Sequence, residues 1–179
     1  MKTYLTYGLV MAIAGALLTL ALFLLGFHTD PVKLQSAQWI GGGGGLVIGI
    51  VVIVLGTKAR RAEVPATEGF GYGRALGTGV MIVLFGALFG IATNLLYTQI
   101  INPHMTDILM QAQIDKWEAA GMSSAKIEQA EAMMRKMMHP AIQAVFGFIG
   151  GMCFGTLISL ITAAFLKREA TSAEPPVVA

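Results

Sequence analysis

AIQAVFGFIGGMCFGTLISLITAAFL, residues 141–166, decides the fold. It is 26 residues without an Asp, Glu, Lys or Arg. An α-helix rises 1.5 Å per residue and a bilayer's hydrocarbon core is about 30 Å thick, so about 20 such residues are enough to cross. Three more stretches of this kind precede it, at about Tyr7–Phe27, Trp39–Gly56 and Leu76–Ile101, and none contains an acidic or basic side chain. In lipid a backbone must satisfy its own hydrogen bonds, which makes helices of all four. The fold class expected is therefore all-α: a polytopic membrane protein with four transmembrane helices.

Composition agrees. Hydrophobic residues form 55% of the 179 and charged residues 12%, about half the charged share of a soluble domain. The net charge of +2 is small and scattered, which argues against a nucleic-acid partner. The single cysteine, Cys153, lies within the fourth span, so an internal disulfide is excluded. The first run is longer than a signal-peptide core, and His28-Thr29-Asp30-Pro31 follows it in place of a small-residue cleavage site. It reads as an uncleaved span.

Positive residues near span ends mark the cytoplasmic side. Lys2, Lys58, Arg60, Arg61, Arg74, Lys167 and Arg168 fall on one side of a four-span chain, against Lys33, Lys116, Lys126, Arg135 and Lys136 on the other. The Lys58-Ala59-Arg60-Arg61 cluster makes the first side cytoplasmic and places both termini there. Residues 1–168 then form one transmembrane domain, followed by a disordered cytoplasmic tail, 169–179.

Between spans three and four, residues 103–139 read as an extracytoplasmic amphipathic helical hairpin. Asn102-Pro103 suits a helix start, Gly121 a helix stop, and Ser123 or Ser124 a second cap. Glu131 and Arg135 are spaced as an i,i+4 pair.

Twenty-two glycines give the spans their other signature. Gly147, Gly151, Gly155, Ser159 and Ala163 recur every four residues in span four; Gly41, Gly45 and Gly49 do so in span two, and Gly86/Gly90 in span three. Small residues let helices approach closely, which drives association in lipid. These stripes are candidates for packing within the bundle, for a homo-oligomer, or for contact with another membrane protein. The run Gly41–Gly45 also leaves two conformations open, a helix entering at the outer interface or a broken helix with free backbone groups for an ion.

Chemistry is scarce. Asn94, near Tyr97, is the strongest polar group within a span, and no Ser/His/Asp arrangement, H-E-x-x-H, C-x-x-C or Walker motif is present. An enzyme is not expected, and no cofactor. One constellation suits Cu(I): His28, His104 and His139 sit at outer span ends, with Met134 and Met138 near the last. Methionine also fills amphipathic helix faces, so packing alone accounts for that spacing.

Phe70-Gly71-Tyr72-Gly73-Arg74-Ala75 opens span three, Asn102-Pro103 closes it, and Leu157-Ile158-Ser159-Leu160-Ile161-Thr162-Ala163-Ala164-Phe165-Leu166-Lys167-Arg168 ends the domain. In this order the chain resembles a family of small bacterial inner-membrane proteins of uncharacterised function, mostly from Bacteroidota. The pentaglycine run departs from that pattern. The resemblance implies the four-span architecture and a bacterial inner (cytoplasmic) membrane location, and it brings no activity. The leading expectation is a non-enzymatic scaffold or self-assembling bundle whose constant partner is the lipid bilayer. A small transporter or channel is the alternative.

Overall fold

The computed structural model describes residues 1–30 and 32–171. Its helices are α1 (Lys2–Leu24), α2 (Leu34–Glu63), α3 (Tyr72–Leu96, continued by a π-helical turn Tyr97–Ile101), α4 (Met105–Ala119), α5 (Ser124–Met137) and α6 (Pro140–Leu166). Among the described residues there is no strand, and the one isolated bridge joins Phe70 to Arg168. α1, α2, α3 with its π turn, and α6 are each long and apolar enough to cross a membrane. Their outward faces are apolar, Phe154 and Phe165 being 68% and 81% exposed. Such faces suit lipid.

Several helix ends differ from their expected places, α3 among them, which begins at Tyr72, four residues before Leu76. α1 stops at Leu24, not Phe27, because Gly26 takes a φ of 77°. The Phe27 amide then bonds the Leu22 carbonyl and the Gly26 amide that of Phe23, a Schellman close. Gly121 (φ 73°) closes α4 in the same way, with bonds from Met122 to Trp117 and from Gly121 to Glu118. α2 begins five residues before Trp39 and runs past Gly56 to Glu63, absorbing the basic cluster. Gly41–Gly45 is continuous helix within it, so the broken-helix alternative has no free backbone groups to offer. Asn102 does not cap α4, since His104 holds that position; it ends the π turn instead.

α3 lies at the centre, packed most extensively on α6 and on α1; α2 leans on α1 and touches α3 and α6 less. The end bearing the N-terminus is tightly closed. Phe70 is fully buried among Val64, Ala75 and Ala163. Its backbone exchanges two hydrogen bonds with Arg168, at 2.7 and 2.8 Å. The Arg168 guanidinium donates to the Val64 carbonyl at 2.8 Å, and Arg61 reaches the Leu166 carbonyl at 3.3 Å. Thr3 donates to Glu63, which also pairs with Arg60 at 2.6 Å, tying the start of α1 to the end of α2. Thr171 donates to the Ala66 carbonyl. Of the tail expected to be disordered, 172–179 lies outside the described residues.

α4 and α5 touch each other at the opposite end of the bundle, with Arg135 bonded to Glu131 at 2.8 Å.

Candidate functional site

Glycines decide where the bundle closes and where it stays open. In the half towards the termini several of them are packing surfaces. A Cβ on Gly155 would collide with Val83, and one on Gly79 with Ser159. On Gly8 it would sit 2.5 Å from the Phe85 Cβ and 2.9 Å from the Gly86 backbone. Ser159 is buried and turns its hydroxyl back to the Gly155 carbonyl at 2.7 Å, so it approaches α3 with its polar atom satisfied. Here the stripe on α6 does what small residues do in lipid.

Towards the other end the same stripe has nothing to pack on. Gly45, Gly90, Gly147 and Gly151 would each accept a Cβ with no atom within 4 Å. They line a half-open cleft of about 620 Å³ between α2, α3 and α6, floored by Met11 of α1. Gly49, Gly86 and Gly155 border it as well. Of the glycines and serine singled out in the sequence, only Gly41 and Ser159 stand apart from the cleft; a Cβ on Gly41 would meet Leu22 at 3.7 Å.

The lining carries no charged side chain. Its polar side chains are the carboxamides of Asn94 and Gln143. α3 and α6 run antiparallel, so these two residues reach the same end of the cleft from opposite directions. Asn94 carried a signal in the sequence as a polar group deep in an apolar run. Gln143 carried a weaker one, being only three residues inside span four, and sequence reasoning passed over it. Phe148 and Phe154 of α6 complete the wall and look like any other apolar residue in the sequence.

At the cleft's end of the bundle a buried polar node ties α1 to α3. Tyr97 Oη lies 2.6 Å from His28 Nδ1, and Asn102 Nδ2 donates to Tyr97 Oη at 3.2 Å and to the His28 carbonyl at 3.4 Å. All three residues are buried. Burial holds the His28 imidazole, in the loop after α1, below its ordinary value of 6.5.

The other metal candidates belong to α4, α5 and the start of α6. His104 begins α4, and His139 Nδ1 accepts the Ala141 amide at 3.3 Å as the cap of α6. Met134 and Met138 border a second hollow, of about 540 Å³, between the start of α2 and α4–α5. Among the described residues no three His, Cys, Asp or Glu side chains gather as a metal site.

The two sequence stretches Phe70–Ala75 and Leu157–Arg168 meet at the Phe70–Arg168 bridge, and Asn102 closes the node at the other end. A family described as "Protein of unknown function (DUF4199)" matches residues 6–168. No curated protein and no solved structure matches the chain. From the first turn of α1 to the Arg168 clasp, the chain belongs to the DUF4199 family.

Proposed function

We propose that this is a non-enzymatic, multi-pass protein of a bacterial inner membrane that takes a hydrocarbon chain from the bilayer into the α2–α3–α6 cleft. The cleft carries the reading. It follows Gly42–Ile53 on α2 and Gln143–Ile158 on α6, lengths of about 16 and 22 Å at 1.5 Å per residue. Its walls are apolar apart from Asn94 and Gln143, and a bilayer around four helices of membrane-crossing length supplies acyl chains to fill it. An empty groove would also forfeit the dispersion contacts of its walls.

The gathering of Lys2, Arg60, Arg61, Arg74 and Arg168 at one end of the bundle supports cytoplasmic termini. That orientation puts α4 and α5 outside as an amphipathic hairpin and opens the cleft towards the outer leaflet.

Native mass spectrometry from mild detergent tests the reading. The wild type is expected to carry lipid adducts that Gly147→Leu with Gly151→Leu loses. Equal adducts on both would overturn it.

A second reading is self-assembly. Gly73 and Gly77 on α3 are exposed, and a methyl added to either would have no atom within 4 Å, so they offer a GxxxG face outside the cleft. Crosslinking in native membranes reads it: a species that stays monomeric removes it.

A further inference from the structure

Resting on the reading of the cleft as a hydrocarbon site, we infer that Asn94 and Gln143 select the ligand's head, which is an uncharged, carbonyl-bearing group. Gln143 lies about 5 Å along α6 from Pro140, and Asn94 about 12 Å along α3 from Asn102, at 1.5 Å per residue. Both therefore stand where a chain's polar head would sit when its tail runs down the cleft towards Ile53 and Ile158.

Neither carboxamide makes a side-chain hydrogen bond among the described residues, and both line the cleft, Gln143 half-buried and Asn94 exposed within the protein. An amide without a partner is costly in hydrocarbon. Each offers two N–H donors and one acceptor and no net charge. A carbonyl oxygen satisfies the donors. A phosphate or carboxylate would leave water for a lining that holds no cation, at a heavy desolvation cost. Arg135 and Lys136 belong to α5 and do not line the cleft. The ligand class is thus a neutral lipid with a carbonyl head, such as a monoacyl ester or an isoprenoid quinone.

Photolabelling separates the possibilities. The full chain in phosphatidylcholine nanodiscs is exposed to three probes with the same diazirine-bearing chain: a monoacylglycerol, its ether analogue without the carbonyl, and the anionic lysophosphatidic acid. Labelled peptides are then mapped. The monoacylglycerol is expected to label cleft peptides of α2 and α6 at least about tenfold more than its ether, the scale of two neutral hydrogen bonds, and more than the anionic probe. Asn94→Leu with Gln143→Leu should abolish the preference over the ether and keep the tail labelling. These apolar replacements do not oppose insertion into lipid. Competition by a short-chain quinone or by unlabelled monoacylglycerol tells which source of the carbonyl binds better, and either result supports the inference.

Cleft labelling that is equal for ester and ether, or stronger for the anionic probe, overturns the head assignment and leaves the cleft standing. So does an ester-over-ether preference that survives in the leucine variant. Labelling spread over all outward faces and unchanged by Gly147→Leu with Gly151→Leu overturns the cleft itself.

Discussion

Gly155 and Gly147 stand two steps apart on the four-residue stripe of α6. A methyl added to the first would collide with Val83, and one added to the second would meet nothing within 4 Å. The same residue type in the same repeat closes the bundle towards the termini and opens it towards α4 and α5. The closed half is where Phe70, Ile53, Ile82, Thr78 and Ser159 are fully buried. In the open half the cleft lies between α2, α3 and α6. Small residues in a membrane helix permit close approach, but a partner has to be placed to use it.

Substitutions at the two ends should therefore differ most in stability. Phe70→Ala removes the largest fully buried side chain of the closed end and is expected to cost about 3–5 kcal/mol. A melt in detergent reads this as a lost or strongly lowered transition. Gly155→Leu should follow, at about 3 kcal/mol, since overpacking there has only the Val83 side chain to displace. A wild-type Tm for Gly155→Leu would break the contrast.

His28→Phe tests the tie between α1 and α3. Losing the Tyr97 bond should cost about 1–2 kcal/mol, mainly through polar groups left unpaired. The wild type also has a pH signature. The unfolded imidazole keeps the ordinary value of 6.5 and the folded one lies below it, so the unfolded chain binds the proton more readily. Stability is full above 6.5 and declines as the pH falls from there towards the folded value. The difference in Tm between pH 7.5 and 5 should shrink in His28→Phe.

Gly147→Leu sits at the weak end of the contrast. It should leave the melt within about 1 kcal/mol of wild type, with helix propensity favouring the replacement, while it removes the bound chain. Smallest is Glu131→Gln in α5, where an exposed i,i+4 pair with Arg135 is worth about 0.3–0.5 kcal/mol.

The residues that carried meaning in the sequence did so unevenly. Gly121 was readable as a stop because only glycine takes a left-handed turn at low cost, and it ends α4 there. Gly26 does the same for α1 but was hidden inside a continuous apolar run. Asn102 looked like a helix cap by its neighbour Pro103, yet its partners are His28 and Tyr97, 74 and 5 residues away. Long-range partners leave no local spacing to read. Gln143 was passed over for a related reason: its place beside Asn94 depends on α3 and α6 running antiparallel with matched ends.

The amino-acid sequence by itself determined four helices long and apolar enough to cross a membrane, since uncharged runs of that length must bond their own backbones once out of water. It also determined the segregation of charge to the ends. Only the tertiary structure decided which glycines are interface and which are cleft wall. A glycine has no side chain to declare its direction, so the pattern reads the same whether a neighbouring helix crosses against it or leans away.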